Sequence, residues 1–129
     1  MRNYMRKKTK YVLPRTVYHQ ALWKIRDYYR LSEKAQAILE ESPAPPDGQP
    51  GAHGKNADEV ARKAEKREEI MDEIKKIDSA LNMIPQEYRR GVWMNVHWDT
   101  RFPIDASRET YSRYKSKLIY QVAENFGLI

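Results

Sequence analysis

The sequence predicts an all-α protein, and three observations carry that prediction. No segment alternates apolar and polar residues with the period of two that a half-buried strand requires. Apolar residues recur instead at helical spacing in three stretches, 14–41, 57–84 and 85–129. The strongest breakers are gathered in one place, SPAPPDGQPGAHGKN at 42–56, which holds four of the seven prolines and three of the five glycines. The expected architecture is a long antiparallel helical hairpin over 14–84 with a Pro/Gly loop at 42–56. A basic arm, 1–13, precedes it, and a compact helical unit, 85–129, follows.

The arm comes first. Residues 1–15 carry Arg2, Arg6, Lys7, Lys8, Lys10 and Arg15 and no acid, and the remaining 18 basic and 18 acidic residues cancel, so the net charge of +6 belongs to this end. Such an arm either contacts a phosphate backbone or keeps the chain in solution. Six phosphate contacts would give a log–log salt slope of about −5. Tyr4, Tyr11 and Tyr18 interleave with these cations.

From Pro14 the pattern turns helical, with proline in a favoured place at the start. Ala21, Ile25, Tyr28, Ala35 and Leu39 form a stripe that Leu22, Tyr29 and Ile38 widen. The stretch reads as one helix or as two broken near Leu31–Ser32. The 42–56 linker removes backbone donors and frees φ, so it reads as a spacer. Asn56 and Glu59 then have capping-box spacing. The helix they open runs to about Asn82, roughly 40 Å at 1.5 Å per residue. Its second half carries Ile70, Ile74, Ile77, Leu81 and Ile84 in 4-3-4-3 steps, the stripe of a hairpin or of a dimer seam.

Pro85 opens the next helix, in which Tyr88, Val92 and Val96 share a face bordered by Trp93. Gly91 costs this helix about 1 kcal/mol against alanine, which close helix packing would explain. DTRFPIDA, 99–106, breaks the pattern. Ser107 is a good N-cap for the last helix. There Tyr111, Tyr114, Leu118, Val122 and Phe126 face one way, with Ile119 and Ala123 beside them, and Gly127 marks the stop. Trp23, Trp93 and Trp98 are expected to anchor the core, since each supplies a large apolar area, with stacking on single-stranded bases as the alternative role.

Composition excludes several classes. Without cysteine there is no disulfide framework and no thiolate metal site. His19, His53 and His97 are scattered without ligand spacing, so no metal or other cofactor is expected. No apolar run approaches the ~20 residues that span a bilayer. No nucleophile elbow, phosphate-cradling loop or dinucleotide fingerprint occurs, and Glu40-Glu41 and Glu68-Glu69 lie on charged helix faces, so an enzyme is not expected.

Three segments, YHQALWKIRDYYRLSEKAQAILEESPAPPDGQP, IDSALNMIPQEYRRGVWMNV and TYSRYKSKLIYQVAENFGL, resemble in their order a group of small phage and prophage proteins of Gram-positive bacteria. In the C-terminal half the chain is similar to RinA- and ArpU-type phage transcriptional regulators, whose fold is a helix-turn-helix like sigma-factor region 4. Ile84-Pro85, Tyr88, Arg89 and Arg90 match the first part of that pattern. Ser107, Thr110, Ser112, Arg113 and Lys117 match the start of its reader helix loosely. HWDTRFPIDA stands where the pattern has a short apolar helix.

The resemblance implies a DNA-binding transcriptional regulator acting in the host bacterial cytosol. Arg108, Thr110, Ser112, Arg113 and Lys117 would be readers or phosphate contacts, because arginine, serine and threonine near a reader's start reach base edges while later cations contact phosphate. Arg89 and Arg90 would contact backbone, and Arg6, Lys7, Lys8 and Lys10 of the arm would add salt-sensitive affinity. A different class stays open: a phage-encoded protein-binding module or inhibitor docking on RNA polymerase or another host nucleic-acid-handling complex without reading DNA. A dimer through the 57–84 stripe also stays open.

Overall fold

The computed structural model describes residues 11–41 and 53–129, with side chains from residue 57 onward in the second stretch. Among the described residues the protein is all-helical, with no strand. The elements are α1 (Arg15–Arg26), α2 (Tyr28–Glu41), α3 (His53–Leu81), α4 (Gln86–Trp98) and α5 (Arg108–Asn125). They divide into two compact units, Tyr28–Lys75 on one side and, on the other, the residues before Tyr28 and after Lys75.

In the unit formed by 11–27 and 76–129, α1, α4 and α5 close around one core. Ala21, Leu22 and Ile25 of α1 meet Val92 and Val96 of α4 and Tyr111, Leu118, Ile119, Val122 and Ala123 of α5, with Leu13, Ala80 and Ile84 sealing the edges. The expected α4 and α5 stripes are the buried faces. The sequence grouped α1 with 14–84, whereas its apolar face lies against α4 and α5. A stripe shows that a face is buried but not against what.

The ends of these helices follow from their residues. Pro14 and Pro85 stand at the N-caps of α1 and α4, and their carbonyls accept from Tyr18 N at 2.9 Å and Tyr88 N at 3.0 Å. Ser107 caps α5, its hydroxyl accepting from Thr110 N at 3.1 Å, which satisfies one of the donors a helix start leaves open. At the other end Gly127 takes φ +71°, with Gly127 N bonded to Glu124 O and Leu128 N to Ala123 O, the paired bonds of a Schellman stop. The C-terminus of α4 is closed from outside the helix. Arg26 Nε donates to Val96 O at 2.8 Å, and its guanidinium lies 3.5 Å from Asp99. Asp99 holds the left-handed conformation (φ 53°) that turns the chain out of α4.

The α4–α5 connection, 99–107, contains a turn and no helix. It is pinned at four places. Asn95 Nδ2 donates to Thr100 O at 2.6 Å, and Tyr111 Oη donates to Asp105 at 2.6 Å. The Phe102 ring stacks on Tyr111 at 5.3 Å, and Pro103 lies over Gly91. A Cβ on Gly91 would stand 2.7 Å from both Pro103 Cδ and Tyr111 Cε1, so the absence of a side chain is what admits the connection.

The Tyr28–Lys75 unit has a smaller core. Leu31 and Ala35 of α2 pack with Ile70 and Ile74 of α3, flanked by Tyr28, Ile38 and Met71, and Arg67 Nε donates to Ala35 O at 3.3 Å. The break between α1 and α2 falls at Asp27 (φ −85°, ψ −1°), four residues before the place the sequence suggested. Asp27 N is shared between Trp23 O and Lys24 O there. α3 begins at His53, inside the expected linker and three residues before the capping-box start at Asn56. Of the expected stripe, Ile70, Ile74, Ile77 and Ile84 are buried within the single chain and Leu81 is half-buried.

Candidate nucleic-acid interface

α5 has one side in the core and the other open. Tyr111, Leu118, Ile119, Val122 and Ala123 fix its rotation, which leaves Arg108, Glu109, Ser112 and Arg113 exposed along the first turns. Glu109, Ser112, Arg113 and Ser116 line a shallow cleft of about 350 Å³. A second, larger groove of about 710 Å³ runs along the connection. It is lined by Asn95, Thr100, Arg101, Phe102 and Arg108 among others, so Arg108 stands at the groove while Ser112 and Arg113 stand at the cleft.

The remaining expected contacts are placed less favourably. Thr110 is committed to the helix cap, since its hydroxyl shares a 2.8 Å hydrogen bond with Ser107 Oγ. Lys117 is half-buried on the flank of α5. Arg89 is tied into the α3–α4 turn, its Nε donating to Ile84 O at 2.8 Å and a terminal nitrogen to Asn82 O at 3.0 Å. Those bonds occupy the fork that a phosphate would take. Arg90 beside it is exposed. Arg6, Lys7, Lys8 and Lys10 lie outside the described residues.

Electrostatics separate the two units. Residues 11–27 and 76–129 carry eleven basic and seven acidic side chains, a formal +4, and residues 1–10 add five basic and no acidic ones. Tyr28–Lys75 carries eight basic and eleven acidic, a formal −3. The cancellation outside the arm is therefore an average over a basic unit and an acidic one.

Burial shifts several groups in the basic unit. His97 is pushed down to about 4, first by burial and then by the nearby Arg26 cation. Tyr111 is pushed up to about 12 by burial and by its bond to Asp105. Lys115 is lowered, chiefly by burial, with Arg26 lowering it further and Asp99 opposing. Tyr18 is raised, mainly by burial.

Sequence reasoning misplaced two tryptophans and passed over two arginines. Trp23 and Trp98, expected in the core, are 63% and 55% exposed, while Trp93 is half-buried against it. Trp23 sits two residues from both Ala21 and Ile25, which puts it on the opposite face of α1. That signal was present in the spacing. Arg101 was hidden in a stretch read only as a break. The capping role of Arg26 depends on an acceptor 70 residues away, which no local pattern encodes.

Among the described residues no three His, Asp or Glu side chains converge as a metal site. No described helix is long and apolar enough to cross a membrane. No protein-family model, curated protein or solved structure matches the chain.

Proposed function

We propose that the chain is a DNA-binding regulator of the phage transcriptional type, contacting duplex DNA through the exposed N-terminal half of α5. The observation that carries the reading is the coincidence of a basic unit with a helix whose open side presents Arg108, Ser112 and Arg113. A helix start favours anionic partners, and arginine and serine at such a start suit phosphates and base edges. Arg90, Arg101 and the arm residues Arg6, Lys7, Lys8 and Lys10 supply backbone charge. Lys117 contributes from the flank. Arg89 and Thr110 serve the fold of the interface rather than its contacts.

The test is fluorescence anisotropy on labelled duplex DNA across ~50–200 mM salt. Wild type is compared with Arg108→Ala/Arg113→Ala and with a chain lacking residues 1–13. The double variant is expected to bind at least about tenfold more weakly, as loss of two charged contacts implies. The deletion is expected to flatten the salt slope. Binding that depends on the arm alone overturns the reading.

A second reading, a protein-binding module that docks on a host nucleic-acid-handling complex without reading DNA, draws on one observation. Ile104 is fully exposed on a connection pinned at four places, a rigid apolar tip of the kind that fills a partner pocket. Under that reading the uncharged change Ile104→Ser abolishes partner capture, while Arg108→Ala/Arg113→Ala leaves it intact.

A further inference from the structure

Two of the three tryptophans project from the basic unit, and Arg26 connects their positions. Trp23 lies on the face of α1 turned away from the core, and Trp98 is the last residue of α4. The Arg26 guanidinium stands 5.6 Å from the Trp23 ring, while Arg26 Nε holds Val96 O and a terminal nitrogen lies near Asp99, the residue after Trp98. The His97 ring lies 5.1 Å from Trp98 and 4.2 Å from Trp93, which backs the end of α4 with an aromatic row. Lys115 of α5 is within electrostatic reach of both Arg26 and Asp99. The result is two largely exposed indoles, Trp23 with the Arg26 guanidinium beside its ring and Trp98 with the His97 ring beside it, on helices whose orientation is fixed by their buried neighbours.

We infer that Trp23 and Trp98 form a stacking platform for unpaired bases, so that the nucleic acid held by this chain includes a single-stranded segment. The inference rests on the nucleic-acid reading of the basic unit and adds the form of the substrate. Charge complementarity selects the occupant. The surrounding unit is formally +4, with five more cations in residues 1–10, and so suits a polyanion. A duplex offers phosphates but keeps its base faces stacked on one another. An acidic protein offers charge without a run of flat rings. An unpaired strand offers both, and aromatic side chains beside cations are how strands are held without sequence preference.

The experiment titrates the full-length chain with a mixed-sequence single strand of about 20 nucleotides, longer than the roughly 4–16 nucleotides that strand-binding folds occupy, and with the blunt duplex of the same sequence. Intrinsic tryptophan emission is read alongside anisotropy. The strand is expected to quench emission. Trp23→Ala and Trp98→Ala are each expected to weaken strand binding about tenfold, with Trp→Phe recovering part of the loss. Duplex affinity is expected to hold within about twofold, because stacked pairs expose no face to the indoles. Equal losses on strand and duplex, or no loss on the strand, overturn the inference. So does a wild type that ignores the strand, or one quenched to the same extent by polyglutamate, which would mark a protein partner. A chain that binds the strand through its tryptophans but ignores the duplex keeps the inference and overturns the duplex-reading proposal. The reverse pattern does the opposite.

Discussion

Gly91 shows how one missing side chain sets the geometry of the α4–α5 pair. Alanine there would gain about 1 kcal/mol of helix propensity. Its methyl would also meet Pro103 and Tyr111 at 2.7 Å. Neither ring can swing aside, because Tyr111 is bonded to Asp105 and stacked on Phe102, and Pro103 is fixed by its own backbone. Overpacking of this kind costs about 1–3 kcal/mol, which exceeds the propensity gain. Gly91→Ala is therefore expected to lower stability by up to about 2 kcal/mol in urea unfolding, the overpacking cost less the propensity gain. An unchanged midpoint would mean the connection moves freely.

His97 carries a pH consequence at the same scale. Its folded pKa is depressed to about 4 from an ordinary 6.5. Well above 6.5 the ring is neutral in both states, so its titration adds no pH dependence there. As pH falls from 6.5 towards 4 the unfolded chain takes up the proton first, so stability declines across that window. Unfolding curves for wild type and His97→Gln are expected to diverge there, the variant losing less on acidification. An NMR titration of His97 near 6.5 would refute the burial argument.

At the scale of elements, α5 is the helix whose ends are best specified, and its first turn presents the candidate contacts. Ser107→Ala removes the acceptor for Thr110 N and frees the Thr110 hydroxyl. The expected cost is about 0.5–2 kcal/mol. The turn that fixes Arg108 and positions Ser112 and Arg113 should fray, so duplex affinity is expected to fall together with stability, whereas Ser107→Asp should preserve both. A loss of stability with DNA binding intact would detach the cap from the interface. Ser107, Gly127, Pro85 and the Tyr111–Leu118–Val122 stripe were legible because capping and amphipathicity are local. The partner of α1 was not legible, nor the diversion of Arg89 to backbone carbonyls, because acceptors and packing partners far along the chain decide them. The exposure of Trp23 is legible from its spacing against Ala21 and Ile25, although the general preference of tryptophan for interiors points the other way. The start of α3 at His53 went unread because Gly54 and the preceding prolines signal a breaker, while the helix that follows is long enough to extend through it.

Across the whole molecule, charge and core are unequally shared. The unit holding α1, α4 and α5 is basic and buries thirteen side chains in one cluster. The Tyr28–Lys75 unit is acidic, and its cluster contains four, one of them an alanine. At roughly 1.5–3 kcal/mol for each large aliphatic side chain fully buried, three such residues give the second unit about 5–9 kcal/mol, well short of the entropy of ordering its two helices at about 1–2 kcal/mol per residue. The first half of α3, mostly charge and alanine, adds little packing to offset that cost. Local opening is therefore expected to be much cheaper in the second unit. Native-state hydrogen exchange should show α2 and the 57–69 part of α3 exchanging well before α4 and α5. Leu31→Ala or Ile74→Ala should hasten exchange in the second unit further while leaving amides around Val92, Leu118 and Val122 protected. Uniform protection across all five helices, or loss of protection at Val122 in Leu31→Ala, would show that the two clusters open as one cooperative body.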